Sequence, residues 1–155
     1  MLRLVWWAGF TLLGIWLQRL APGVDLLAPG LLLSFQEQRP PHTLALALAW
    51  VVLQDGSGTL SFGYGMLVYG LLALFFTGGR WLFDAHSFLF VCLSGLLCAG
   101  LHVLATGALS HLEGLQFLWP RLLTEAGIQA ALFPLVWYAA HTLFPNRLKC
   151  DERAV

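Results

Sequence analysis

Charge is what this chain has least of. Asp, Glu, Lys and Arg make up 10% of its 155 residues, while 59% are hydrophobic and the mean hydropathy is +0.77. Soluble domains carry roughly 25% charged residues, so this composition excludes an ordinary hydrated surface and predicts an integral membrane protein. The 8 basic residues are balanced by 8 acidic ones, which leaves no basic face for nucleic acid. Cysteine is scarce too: Cys92 and Cys98 lie in an apolar run and Cys150 in a charged tail. None has C-x-x-C or metal-ligand spacing, so they read as small apolar residues and a tail thiol, with no metal or cofactor expected. The sequence also lacks G-x-S-x-G, H-E-x-x-H, a clustered serine–histidine–acid set and a phosphate-binding glycine loop;. Gly56-Ser57-Gly58 is a turn rather than a nucleotide fingerprint, because no strand–turn–helix unit surrounds it. These absences argue for a small membrane binder or scaffold and against an enzyme.

What is present is a series of apolar runs. About 20 residues cross the hydrocarbon core of a bilayer. Leu2–Leu20 just suffices and reads as an uncleaved helix, since Gln18-Arg19 sits where a signal peptidase would need small residues;. Ala21–Asp25 is a turn. Segments 26–35 and 43–53 are short, separated by the polar, proline-containing loop Gln36–His42;. They form two oblique short helices or a re-entrant hairpin. Thr59–Thr77, Phe88–Leu109 and Leu122–Phe144 are long enough to span, the last kinked at Pro134;. Asp84 suits the N-cap before Phe88. The expected fold is therefore one all-α transmembrane domain over residues 1–155, of six helical segments, with 145–155 as a charged cytoplasmic tail. Six crossings place Arg3, Arg39, Arg80, Arg147, Lys149 and Arg153 on one side and Arg19 and Arg121 on the other. The richer side faces the cytoplasm.

Few polar groups lie at membrane depth. Asp55 ends the third segment. It is either a docking carboxylate or a turn residue accepting N–H bonds from Ser57, Gly58 or Thr59, with Gly56 and Gly58 forming the bend. His102 and Glu125 fall on the same side of the membrane and form a candidate intramembrane pair, although a first-turn glutamate also suits the helix dipole. Gly63, Gly65 and Gly70 on the fourth segment, and Gly95 with Ala99 on the fifth, allow close helix approach. They serve either this bundle or a partner helix.

The stretch from Pro29 to Arg80 resembles the rod shape-determining protein MreD family of bacterial inner-membrane proteins. Pro29-Gly30-Leu31-Leu32-Leu33 is similar to that family's P-D-L-L-L element, with Gly30 in place of the acidic residue. Leu53-Gln54-Asp55 matches its G-x-L-x-D helix end, and Phe62-Gly63 with Tyr69 its L-G element and tyrosine-bearing helix. Trp50 and Val51 stand where the family tends to have glycines. The resemblance implies a non-enzymatic scaffold of the cell-wall elongation machinery that organises peptidoglycan synthesis and maintains rod shape. It implies an MreC-type membrane-anchored partner. It also implies association with the RodA glycosyltransferase, a class B penicillin-binding protein and MreB filaments. It further implies a fold similar to the substrate-binding subunits of energy-coupling-factor transporters, which makes a vitamin-type binding subunit the alternative. Against that alternative, Ala8 and Gly9 are followed four residues on by Leu12 and Leu13 rather than by the small residues of a docking motif.

Overall fold

A computed structural model describes residues 2–20, 23–37, 40–56, 63–84, 87–112 and 119–144. Among these the chain is all-helical, with six helices and no strand: α1 (Leu2–Gln18), α2 (Ala28–Gln36), α3 (Pro40–Gly56), α4 (Tyr64–Gly79), α5 (Phe88–Leu112) and α6 (Trp119–Leu143). Two segments, Phe88–Ala108 and Trp119–Leu143, are long and apolar enough to cross a membrane; Tyr64–Gly79 is a shorter apolar helix.

The architecture is built around the shortest helix. Nine residues cannot stabilise an isolated helix, yet α2 is buried along almost its whole length, with Leu27, Ala28, Leu31 and Leu32 wholly excluded from the surface. Pro29 lies in its first turn, where a missing N–H costs nothing;. Helices α3, α4 and α6 pack around it, and α5 closes the bundle against α4 and α6. Helix α1 covers the remaining side. Gly14 lies so close to Leu27 that a Cβ would stand 2.6 Å from the leucine Cδ2, and Gly30 of α2 is wedged beneath Phe10 and Trp50. Trp7 meets Phe10 and Trp50 edge to face at this seam, and the Phe10 and Trp50 rings are tilted by 37°. The outer surface is as apolar as the interior: Leu12, Val52, Met66, Leu74, Leu104 and Leu143 are each at least 69% exposed.

Successive helices run in alternating directions. The start of α1 therefore meets the end of α6, with Trp6 and Phe144 ring centroids 4.9 Å apart. Trp7 lies 6.2 Å from His42 at the start of α3, which marks the same end of the bundle.

Two expectations are corrected here. The loop expected over Gln36–His42 is shorter, because Pro40 and Pro41 open α3 instead of preceding it. Prolines in a first turn lose no helical hydrogen bond. Helix α3 is consequently 17 residues rather than the 43–53 core alone, about 25 Å at 1.5 Å per residue. The N-cap of α5 is Ser87, whose Oγ accepts the Phe90 N–H at 3.2 Å, while Asp84 contributes its carbonyl to the Ser87 N–H at 2.9 Å. Helix α6 continues through Pro134 to Leu143.

Candidate functional site

Asp25, Gln54, His102 and Gln129 gather at the end of the bundle opposite the α1 start, in two adjoining clusters, while the buried Ser34, Gln36 and Thr43 lie towards the other end. The first centres on Asp25, in the connection between α1 and α2. Its Oδ1 accepts from the N–H groups of Leu27 at 2.9 Å and Ala28 at 3.2 Å, which begins α2. The same oxygen accepts from Gln54 Nε2 of α3 at 2.8 Å, Gln18 Nε2 of α1 at 3.3 Å and the Tyr69 hydroxyl of α4 at 3.3 Å. Gln129 of α6 reads the backbone of Asp25 twice: its Oε1 accepts the Asp25 N–H at 2.7 Å and its Nε2 donates to the Asp25 carbonyl at 2.9 Å. One residue thus ties four helices to the start of the fifth. A buried carboxylate is costly unless donors surround it, and Oδ1 is surrounded. Oδ2 is buried with no hydrogen-bond partner among the described residues. Burial pushes the carboxyl above its usual range, and the bonds from Gln54, Leu27, Tyr69 and Ala28 pull partly back;.

The second cluster is a string from the surface into the core. Arg121 Nε donates to Glu125 Oε1 at 2.9 Å, one turn along α6. Glu125 Oε2 lies 3.5 Å from His102 Nε2 of α5, and His102 Nδ1 lies 2.8 Å from the Tyr64 hydroxyl at the start of α4. A proton on Nε2 facing the carboxylate leaves Nδ1 to accept from Tyr64. Glu125 also rests on Gly23, where a Cβ would meet its carboxyl carbon at 2.7 Å and where φ is +93°. Glycine alone fits both requirements, so Gly23 joins the two clusters.

Asp55 stands beside them and holds the start of α4. Its Oδ2 accepts the Gly63 N–H at 3.0 Å and its Oδ1 the Gly65 N–H at 3.1 Å. The carboxylate caps the start of α4. Residues 57–62, and with them Gly58, Ser57 and Thr59, lie outside the described residues. Gly56 is the exposed last residue of α3. Gly63 adopts φ +91° as the N-cap of α4, and Gly65 packs against Asp55 and the Val51 backbone.

No protein-family model, curated protein or solved structure matches the chain. The geometry itself therefore carries the functional reading. Gly95 packs on Phe133, a Cβ there lying 3.0 Å from the phenylalanine Cβ, and Ala99 is buried, so this face of α5 serves the bundle. Gly70 is exposed with open space around it. It borders a shallow depression on α4 formed with Gly63, Met66, Leu67, Leu71 and Leu74. Cys98 is buried. Among the described residues, no three of His, Cys, Asp and Glu are placed to hold a metal ion.

Sequence reasoning brought His102 and Glu125 together and the structure does so too. It placed none of Asp25, Gln18, Gln54, Gln129, Tyr64 and Tyr69 in a site, Gln54 and Tyr69 entering only as motif positions. A signal for Asp25 existed: an acidic residue just ahead of an apolar run with proline in the first turn is a helix-start signature. The glutamines had none, because a lone Gln in an apolar helix has no fixed partner in one dimension.

Proposed function

We propose that this chain is a multi-pass protein of the bacterial cytoplasmic membrane, with its C-terminal tail in the cytoplasm. We propose that it acts as a non-enzymatic scaffold of the cell-wall elongation machinery, binding the transmembrane segment of an MreC-type partner. The observation that carries the scaffold reading is the disposition of its polar groups. The buried carboxylate, the three glutamines and the histidine pair are engaged in joining helices, while the outer surface is a belt of exposed leucines. Such a molecule acts through lateral contact. The open depression around Gly70 is where a partner helix approaches most closely, small residues being what transmembrane helices use for contact;.

One feature departs from the family reading and one supports it. Gly30, which stands where the resemblance calls for an acidic residue, is wedged against aromatic rings and admits no side chain. The acidic–Leu–Leu order occurs five residues earlier, at Asp25-Leu26-Leu27, where the carboxylate starts α2. The alternative, a subunit enclosing a small molecule among its helices, is disfavoured by the centre of this bundle. There Leu27, Leu31, Leu32, Trp50, Phe90 and Phe133 fill the space.

The test is affinity capture from a mild detergent. Stoichiometric recovery of a single-span, coiled-coil protein is expected, with severalfold less from a Leu71→Ala/Leu74→Ala variant. Recovery of an energising ATPase complex instead would establish the transporter reading.

A further inference from the structure

A second recess, which shares Met66 and Gly70 with the α4 depression, lies between α3 and α4. It has a volume of about 680 Å³ and is open to the outside of the bundle. Leu44, Ala47, Leu48 and Val51 form one wall, and Met66, Ala73 and Phe76 belong to the other. Its long dimension follows α3 from Pro40 to Val51, about 17 Å at the helical rise, which is close to half of a bilayer's hydrocarbon core of about 30 Å. One end is polar. Thr77 and Arg80 stand there, next to the highly exposed Trp81 and Leu82. Arg80 is exposed, and among the described residues its guanidinium has no hydrogen bond or ion pair. The other hydroxyls at that end are engaged: Thr77 donates to the Ala73 carbonyl and Thr43 to the Ser34 carbonyl. The recess is thus a leaflet-deep hydrocarbon slot with one unengaged cation at its mouth.

We propose that this slot holds one acyl chain of an anionic phospholipid whose phosphate lies on Arg80. The chemistry fits at both ends. The slot offers the chain side-chain hydrocarbon in place of bulk lipid, and the guanidinium offers the phosphate a charge-assisted, bidentate donor pair. A tryptophan beside the arginine belongs at the headgroup level. The slot lies on the basic side of the chain, which the charge distribution assigns to the leaflet richer in anionic lipid. The inference rests on the membrane part of the proposed function and is independent of the MreC-type partner.

The full chain reconstituted in vesicles containing spin-labelled phosphatidylglycerol or phosphatidylcholine tests it. Sucrose-gradient flotation first establishes incorporation. The motionally restricted fraction of the spectrum should favour phosphatidylglycerol about fivefold, the factor one cation contributes near anionic lipid. Arg80→Gln, at an exposed position, should reduce that preference towards one. Ala73→Phe, which fills the slot, should remove the preference for phosphatidylglycerol as well, while the chain remains monodisperse and the leucine belt still restricts both lipids alike. Equal restriction of the two lipids by the wild-type chain, or an undiminished preference in Arg80→Gln, overturns the proposal. So does a purified chain whose slot is occupied by a partner helix that crosslinks to Ala47 or Ala73 positions. A chain that does not float overturns the membrane reading and this inference with it, whereas loss of lipid preference alone leaves the scaffold reading standing.

Discussion

Five donors converge on Asp25 Oδ1 and none on Oδ2. That asymmetry determines what each substitution does. Asp25→Ala takes the Asp25 acceptor from the Gln18 and Tyr69 donors, while Gln54 Nε2 keeps its bond to the Tyr69 hydroxyl at 2.8 Å. Each such orphan is expensive, and we expect a loss of about 2–4 kcal/mol, read as a lower melting temperature in detergent. Asp25→Asn keeps an acceptor oxygen and should lose less. The pH dependence separates charge from hydrogen bonding. Burial raises the folded-state pKa above 3.8, so between the unfolded and folded values the native state holds a proton that the unfolded state has released. Stability then falls as pH rises through the folded value, and it is greatest below the unfolded one. The wild-type chain should gain thermal stability relative to Asp25→Asn as pH is lowered from 7 towards 4; parallel profiles for the two proteins would refute the raised pKa. The contrast with Asp55 is instructive. Both carboxylates begin a helix, but Asp55 announces itself by interrupting an apolar run, whereas Asp25 follows Pro22-Gly23 and looks like an ordinary turn. Its importance comes from helices far away in sequence, through Gln54 and Gln129.

At the scale of elements, the six segments and their order were legible from hydrophobic run length, which is why four of the helices fall where the runs do. The place of α2 was not. A helix in a membrane core is apolar towards lipid and apolar towards protein, so its periodicity carries no inward direction. Nothing in Leu31-Leu32-Leu33 distinguishes a central helix from a peripheral one. Burial shows instead in sterics. A Cβ at Gly30 would collide with the Phe10 ring and lie 3.0 Å from Trp50. Gly30→Ala should therefore destabilise the fold by about 1–3 kcal/mol, since both rings are held in an aromatic cluster with little room to shift;. Gly70→Ala, with open space around it, should be neutral or slightly stabilising;. Measuring both by thermal unfolding distinguishes a buried α2 from an exposed one. The cap on α4 has its own test. Asp55→Ala should cost about 1 kcal/mol and speed proteolysis near Gly63. Asp55→Asn should recover part of the loss.

For the whole molecule, the alternation of six helices has a consequence for charge. Arg3 and Arg80 fall at the end where α1 starts and α4 finishes, while Arg19 and Arg121 fall at the end where α1 finishes and α6 starts. The Asp25 and His102 clusters share the second end with Arg19 and Arg121. If the basic end faces the cytoplasm, these polar clusters lie towards the outer surface, and the Arg80 slot opens on the inner leaflet. Cysteine labelling checks this directly. In a chain whose Cys92, Cys98 and Cys150 are replaced by alanine or serine, a single Leu20→Cys or Leu82→Cys is introduced. Both native leucines are highly exposed, at 74% and 81%, so reagent access depends on sidedness rather than burial. With an impermeant maleimide, intact cells should label Leu20→Cys and leave Leu82→Cys unlabelled until the membrane is opened. The reverse pattern would invert the molecule in the membrane. Labelling of both from one side would mean that the chain between α1 and α4 makes an even number of crossings, with α2 and α3 together crossing once and α4 returning to the side where α1 ends.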